Sequence, residues 1–304
     1  MRAPLLLLAA ACAALLGGGC GGGGGGDDGG RTTVVATTTQ AADLARNVAG
    51  DRAEVRGLLA ANTDPHDYEV RPGDVKALVD ADLVVRSGGD VDEWLQGAID
   101  SAGADAPVLD LLDGVAPEGE DPHWWQDPRR AARAVEAIRA ALVKADPAGE
   151  PAYREQAQAY LVRLRALDAA VARCVGAVPA AERKLVTTHD ALGYYARRYG
   201  IEVIGTVIPS LSTQAQASAG DLARLVDTIR RERVRAIFAE SSVNAKVEDA
   251  IAQETGARVG RPLWADALGP AGSSGATYAG SVGANTAAIV EGLTGGERSC
   301  TLPR

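Results

Sequence analysis

The chain has 304 residues and a formal net charge of −9, with 46% apolar and 23% charged residues. These values are typical of a globular protein and, at roughly 100–200 residues per domain, they allow for two domains. The 40 acidic side chains outnumber the 31 basic ones, which argues against a nucleic-acid partner because binding to phosphates depends on clustered Lys and Arg.

The first 19 residues are predicted to be a secretory signal peptide. Arg2 is followed by an unbroken apolar run from Leu5 to Leu16, and this run is too short to cross a bilayer, which takes about 20 helical residues. Small residues then precede Cys20, as in a bacterial lipobox, where the cysteine is acylated and begins the mature chain. Residues 20–31, rich in Gly and Asp, are then expected to be a flexible tether.

Two alternatives to acylation at Cys20 stay open. A lipobox usually has Leu three positions before the cysteine, whereas Gly17 stands there in this chain. Cys12 is therefore a rival site, and secretion without a lipid is the simpler alternative. The expected location is extracytoplasmic, with a lipid anchor in the cell membrane.

After the tether, short β-branched runs alternate with helical patterns. In the first half the predicted strands are 33–37, 55–59, 83–86 and 108–110, and the predicted helices are 41–49, 74–80 and 128–143. The second half has predicted strands at 185–188, 203–208, 236–239 and just before Trp264, and predicted helices at 192–199, 221–231, 247–255 and 277–293. This alternation predicts an α/β fold of two lobes, residues 32–146 and 179–304, whose mostly parallel sheets are flanked by helices.

A long helix is predicted between the lobes, over residues 151–178. Its apolar residues recur every three or four positions and so lie on one face: Tyr153, Ala157, Tyr160, Leu164, Leu167, Val171 and Val175. At a rise of about 1.5 Å per residue, Tyr153 to Gly176 would span about 36 Å, enough to join the lobes rigidly. The alternative is an ordinary helix inside the second lobe, which predicts a larger hinge motion.

Two cysteines, Cys174 and Cys300, remain if Cys20 is acylated and Cys12 is removed with the signal peptide. Disulfides persist outside the cytoplasm, so we expect this pair to be bonded. Their spacing fits no CxxC metal or redox motif, which favours a structural role. The alternative is two free buried thiols.

The chain has 3 histidines, and each lies in a short polar motif beside an aspartate. His66 and His123 each follow Asp-Pro, while His189 follows two threonines and precedes Asp190. Loops at the carboxyl ends of parallel strands converge in one crevice, and an adjacent carboxylate can accept the second ring N–H and orient the imidazole. A single histidine of this kind is most often structural, but three such motifs together favour a shared metal site.

These motifs, in their order along the chain, resemble the zinc/manganese solute-binding lipoproteins of bacterial ABC importers. In the first lobe the resemblance is carried by residues 64–69, 73–78, 83–88, 94–95 and 121–128. In the second lobe it is carried by residues 188–195, 199–200, 238–244 and 264–269. The resemblance covers essentially the whole mature chain and implies two α/β lobes joined by a rigid helix.

The resemblance also implies one metal ion between the lobes, held by His66, His123, His189 and Asp266. Neutral imidazoles and a carboxylate suit tetrahedral Zn²⁺. Relatives that look tuned to manganese have a carboxylate in place of His189, and harder oxygen ligands suit Mn²⁺ better. We therefore expect zinc, with manganese as the alternative within the same family.

Other residues are candidates to support the ligands. A bound Zn²⁺ would leave the site positive, which favours neighbouring acids, and Asp67, Asp190 and Glu240 are the candidates. The loop of residues 113–122 is short and acidic and lacks the histidines found in some zinc-binding relatives; it either attracts cations weakly or is simply solvated. Trp124 and Trp125 either shield the site from water or pack the lobe interface.

The implied function is that of a monomeric extracytoplasmic carrier, which passes zinc to a membrane permease powered by a cytoplasmic ATPase. A metallochaperone is a further candidate partner. The main alternative is a zinc-dependent hydrolase, but catalytic zinc usually has three protein ligands and an open position, and no HExxH motif is present. A third alternative, a lipid-anchored adhesin with a structural metal, predicts that the protein unfolds when the metal is removed.

Overall fold

The computed structural model describes residues 31–303. The predicted signal peptide, both candidate acylation sites (Cys12 and Cys20) and all of the tether except residue 31 lie outside the described residues. Within residues 31–303, no helix combines the length and the apolar character needed to cross a membrane.

The first half of the described chain forms a four-stranded parallel sheet. Its strands are β1 (Thr32–Ala36), β2 (Ala53–Gly57), β3 (Leu83–Arg86) and β4 (Val108–Asp110), in the order β2–β1–β3–β4. The helices of this half are α1 (Thr39–Ala49), α2 (Pro72–Val79), α3 (Trp94–Ala102), α4 (Leu111–Gly114) and α5 (Pro128–Ala145). The central strands are buried on both faces, as expected for a parallel sheet covered by helices.

The second half repeats this strand order with shorter pairings. After the helix α6 (Glu150–Gly176) come β5 (Lys184–Thr187), α7 (Gly193–Tyr199), β6 (Glu202–Thr206), α8 (Ala219–Glu232), β7 (Ala236–Ile237), α9 (Lys246–Thr255), β8 (Arg258–Val259) and α10 (Tyr278–Leu293). The parallel pairs are β5–β6 and β7–β8. An isolated parallel bridge between Thr187 and Phe238 links the two pairs, so the strands follow the order β6–β5–β7–β8.

The long helix α6 has 27 residues. All seven apolar residues of its predicted face are buried, and the helix packs against α1, α5 and α10. Helices from both halves of the chain therefore share the core around α6. Residues 31–303 belong to one compact unit, and the division into two lobes with the boundaries given above stays a prediction.

The predicted α/β fold with parallel sheets is confirmed, and the differences are local. The sequence pattern does not predict helices α3 and α4, because α3 contains Gly97 and follows the Gly88-Gly89 pair, and α4 has only four residues. The predicted strand at 236–239 is regular over two residues only. Beyond Ile237 the pairing continues through the single bridges of Phe238 and Glu240.

Cys174 and Cys300 form a disulfide with a Cα–Cα distance of 6.1 Å, which lies within the usual range. Cys174 is in the last turn of α6, and Cys300 lies in the segment after α10. The bond therefore ties the C-terminal segment to the long helix.

Candidate metal centre

The four side chains proposed as metal ligands form one buried cluster. Their ligand atoms all lie within 4.8 Å of one another. The side chain of His189 is central, with its Nε2 at 3.0 Å from Oδ2 of Asp266 and 3.3 Å from Nε2 of His123. Nε2 of His66 and Nε2 of His123 lie 3.4 and 3.6 Å from the same carboxylate.

Several atoms of this cluster lack hydrogen-bond partners within residues 31–303. They are Nε2 of His66 and both carboxylate oxygens of Asp266. His66 is 7% exposed, Asp266 is 1% exposed and the other two ligand candidates are fully buried. Water therefore does not supply the missing hydrogen bonds, and burying these polar atoms without partners costs free energy. A divalent cation would satisfy these converging lone pairs together, and three imidazoles with one carboxylate match the donor set of a zinc site.

The two histidines of the first half are positioned by the same local turn. Oδ1 of Asp64 accepts the backbone N–H of His66 at 3.0 Å, and Oδ1 of Asp121 accepts the backbone N–H of His123 at 3.0 Å. An Asp side chain that bonds the backbone two residues on is a common turn, and the intervening proline restricts the chain further. This is the physical reason for the repeated Asp-Pro-His sequence.

Two carboxylates orient two of the imidazoles. Oδ1 of Asp121 lies 2.9 Å from Nδ1 of His123, and Oε1 of Glu240 is hydrogen-bonded to Nδ1 of His189. A carboxylate on Nδ1 holds the proton there and leaves the Nε2 lone pair free. Both rings therefore present Nε2 to the cluster.

The candidate supporting acids differ in where the structure places them. Glu240 lies against His189, whereas Asp67 is exposed and Asp190 is partly exposed. Among the described residues, no hydrogen bond or ion pair joins the carboxylate of Asp67 or Asp190 to an imidazole. The acid beside His123 is Asp121, which the sequence did not single out, although its place two residues before the histidine was a usable signal.

The charges within the cluster shift its pKa values in opposite directions. Burial opposes ionisation of Asp266, but the neighbouring His189 and His123 outweigh it and hold the pKa of Asp266 well below its usual value. Burial also opposes protonation of His189, yet Asp266 and Glu240 raise the pKa of this imidazole well above 6.5. The pKa of His66 is raised by Asp266 against the same burial effect, and burial raises the pKa of Glu240.

Trp124 and Trp125 are both buried and have different contacts. The indole N–H of Trp124 donates to the Ser87 carbonyl at 3.0 Å. The Trp125 ring lies edge-on to the His123 ring, with 5.3 Å between centroids, and its N–H donates to the Ala265 carbonyl at 2.9 Å. Trp125 therefore both covers the cluster and contacts the second half of the chain.

The acidic loop before His123 is docked onto α7. Glu118 forms ion pairs with Arg130 and Arg197, and the guanidinium carbons of these arginines lie 4.5 and 4.9 Å from the centroid of the Tyr194 ring between them. The Tyr194 hydroxyl accepts the Glu118 N–H at 2.8 Å. Because Arg side chains neutralise Glu118, this acid is not free to attract cations.

Fold and site together define an α/β protein with a buried centre of three histidines and one aspartate. A family model described as "Zinc-uptake complex component A periplasmic" matches residues 34–292, and the chain belongs to this family. The resemblance found in the sequence motifs is thereby confirmed.

Individual relatives support the assignment. The chain is 36% identical over 266 residues to the zinc-binding protein TroA of Treponema pallidum, covering 83% of this chain and 85% of that protein. It is 30% identical over 257 residues to the manganese-binding lipoprotein MntA of Halalkalibacterium halodurans, covering 83% and 85%. The solved structure of TroA superposes with a TM-score of 0.81 at 33% identity, over 87% of this chain and 99% of TroA.

Proposed function

We propose that this protein is the extracytoplasmic substrate-binding component of an ABC importer, which captures one Zn²⁺ and delivers it to a membrane permease. The observation that carries the proposal is the convergence of Nε2 of His189, two further imidazoles and the Asp266 carboxylate within 4.8 Å. Membership of the zinc-uptake component A family supports a role in import.

The donor set supports zinc over manganese. Relatives are named for different metals, with zinc-binding TroA, manganese-binding MntA and the iron-binding YfeA of Yersinia pestis at 32% identity among them. Family membership alone therefore does not select the metal. Three imidazole nitrogens favour Zn²⁺, whereas Mn²⁺ favours a larger share of oxygen ligands.

Transport is a better explanation of the site than hydrolysis. Four protein ligands complete a tetrahedral zinc site, whereas a catalytic zinc keeps a position for water or substrate. Asp266 is the residue that closes the fourth position, and its 1% exposure leaves no access for an extended substrate. We therefore propose that the protein is a carrier and not an enzyme.

The proposed partners are the permease and its cytoplasmic ATPase. A lipid at Cys20 would keep the monomeric carrier at the membrane near the permease, and a metallochaperone is a further candidate for loading zinc. The lipobox-like sequence before Cys20 and the lipoprotein name of MntA support the anchor.

Competitive calorimetry on metal-stripped protein tests the proposal. We expect one Zn²⁺ per chain, bound more tightly than Mn²⁺, and for both His189→Ala and Asp266→Ala a loss of zinc affinity beyond the roughly 10- to 100-fold typical of residues that merely support ligands. Asp190→Ala, which removes an acid next to His189 without touching the imidazoles, is the matched control and should bind zinc normally. Unchanged affinity in both ligand variants would end the proposal.

The same samples separate the alternatives. Circular dichroism of the metal-stripped protein should show a folded chain, because a carrier has to exist empty, whereas a structural metal predicts unfolding. Zinc-loaded wild type should show no activity against ester or peptide substrates. Hydrolysis that disappears in His189→Ala would favour the enzyme instead.

A further inference from the structure

The segment that carries Asp266 belongs to the second half of the chain but is hydrogen-bonded by the first half. The carbonyl of Ala265, directly before Asp266, accepts the indole N–H of Trp125 at 2.9 Å and the amide N–H of Gln126 at 2.8 Å. Both donors are 3% exposed. A third buried donor, the amide of Gln40, lies farther from the same oxygen at 3.4 Å. Trp125 and Gln126 thus make the two shortest of three buried side-chain bonds to the peptide oxygen next to the proposed ligand.

Further bonds fix the same segment to the first half. The backbone N–H of Leu268 donates to Oγ1 of Thr39 at 2.8 Å, and the Leu268 carbonyl accepts the backbone N–H of Asn62 at 2.8 Å. From its own half, Trp264 is held by the side chain of Asn285. The backbone on both sides of Asp266 is therefore bonded to residues far away in sequence.

The carboxylate of Asp266 itself differs from two of the imidazoles. Nδ1 of His123 is held by Asp121 and Nδ1 of His189 by Glu240. Within the part of the chain that the structure describes, neither oxygen of Asp266 has a hydrogen-bond partner. The place of this carboxylate is consequently set by the backbone bonds of its segment together with its charge attraction to the imidazoles, of which Nε2 of His189 is 3.0 Å away.

We propose that Trp125 and Gln126 are positioning residues that hold Asp266 at the metal through the Ala265 carbonyl, and that they thereby set the rate at which the metal leaves. The inference rests on the proposed function. Both donors follow His123 in the chain, so one short turn supplies a ligand and also fixes the ligand opposite to it. Loss of either donor lets Asp266 withdraw while the three imidazoles stay in place.

The test uses substitutions that remove a donor and keep the shape. Trp125→Phe removes the indole N–H and leaves an aromatic ring against His123, and Gln126→Met keeps the length of the side chain without its amide. Trp124→Phe is the matched control, because it removes an equally buried indole N–H whose acceptor is the carbonyl of Ser87. All three variants lose one hydrogen bond to a backbone carbonyl, but only two of them lose it at Ala265.

Zinc release into excess chelator, followed by stopped flow, is the main measurement. We expect release to be about 10-fold faster in Trp125→Phe and in Gln126→Met, and within about 2-fold of wild type in Trp124→Phe. In Co²⁺-loaded protein, the visible bands of Trp125→Phe and Gln126→Met should change shape and intensity, because these bands report the loss of a tetrahedral ligand. A merely structural effect would lower the thermal midpoint of the metal-free protein without changing either readout.

The outcomes separate this inference from the proposed function. Zinc uptake by wild type, with equal release rates and equal Co²⁺ spectra in all three variants, would overturn the role of Trp125 and Gln126 alone. Failure of wild type to take up zinc would overturn the proposed function and this inference with it. If either Trp125→Phe or Gln126→Met does not fold, the other variant decides.

Discussion

The two halves of the candidate metal centre are built in different ways. In the first half, His66 and His123 are each fixed by an aspartate two residues earlier in the chain. In the second half, His189 depends on Glu240, 51 residues away, and the segment of Asp266 depends on donors 139 and 140 residues away. The aspartates that fix the first-half histidines are therefore local in sequence, although Asp64 and the His66 carbonyl also accept hydrogen bonds from Thr213 and Gln214 of the second half. The partners that hold His189 and the Asp266 segment are distant in sequence.

This difference predicts where metal binding is most sensitive to substitution. Local turns form with the backbone around them, so they depend less on the packing of other elements. Long-range contacts depend on the packing of several elements, and we expect substitutions of the second-half partners to weaken zinc binding more than those of the first half.

Removing the acids that orient the imidazoles tests the comparison directly. Loss of such a partner typically costs roughly 10- to 100-fold in metal affinity. We expect Glu240→Gln to lie at the upper end of this range, because its side chain is 2% exposed, and Asp121→Asn at the lower end, because its side chain is 12% exposed and still holds the backbone turn. Calorimetric zinc affinities measure both.

Asp74→Asn is the control for these variants. Asp74 is a buried acid of the first half that accepts hydrogen bonds from Tyr68 and the backbone of Arg71, and its substitution should leave the zinc affinity unchanged. A larger loss in Asp121→Asn than in Glu240→Gln would reverse the comparison between the halves.

As the pH is lowered, zinc affinity should begin to fall at an unusually high pH. Zn²⁺ binds only the deprotonated imidazole, and the pKa values of His189 and His66 are both raised. Protons therefore begin to compete as the pH falls while it is still above the usual histidine value of about 6.5. Asp266 has a lowered pKa and stays charged throughout this range.

Zinc titrations between pH 5 and 9 measure this effect, and Glu240→Gln sharpens it. Glu240 helps to raise the pKa of His189, so the variant should begin to lose zinc at a lower pH than wild type, although its affinity at high pH is weaker. Wild-type affinity that stays constant down to pH 6 would show that protons do not compete as described.

Removal of the disulfide should have the smallest effect on zinc binding. The bond spans 126 residues, and loss of a native disulfide typically costs about 2–5 kcal/mol of stability, mainly by releasing the unfolded chain. The double variant Cys174→Ser and Cys300→Ser should therefore unfold at lower urea concentration while its zinc affinity stays that of wild type. A matching fall in zinc affinity would place the C-terminal segment in the binding mechanism.

Much of the fold could be predicted from the sequence, because strand and helix patterns are local. The predicted strand at 83–86 has the observed bounds, and all seven residues of the predicted apolar face of α6 are buried, with Leu161 and Cys174 buried in addition. Helix α3 was missed because its short pattern is interrupted by Gly97. Strand β7 is shorter than predicted, since the run after it pairs through single bridges only.

The candidate site shows the same contrast between features that are local in sequence and features that depend on packing. The three histidine motifs indicated a shared centre, and Asp121 was readable from its place in the second Asp-Pro-His turn. The pairing of Trp125 and Gln126 with the Ala265 carbonyl carries no sequence signal, because donor and acceptor are brought together only by packing between the halves. The proposed ligands are therefore easier to predict from the sequence than the residues that hold them in place.

The most direct test of the central claim is a crystal structure of the zinc-loaded protein, with anomalous diffraction recorded at the zinc edge. We expect one anomalous peak, with Nε2 of His66, His123 and His189 and a carboxylate oxygen of Asp266 about 2.0–2.2 Å away in tetrahedral geometry. A peak at another place in the molecule, or a water molecule in the position expected for Asp266, would contradict the proposed four-ligand carrier site.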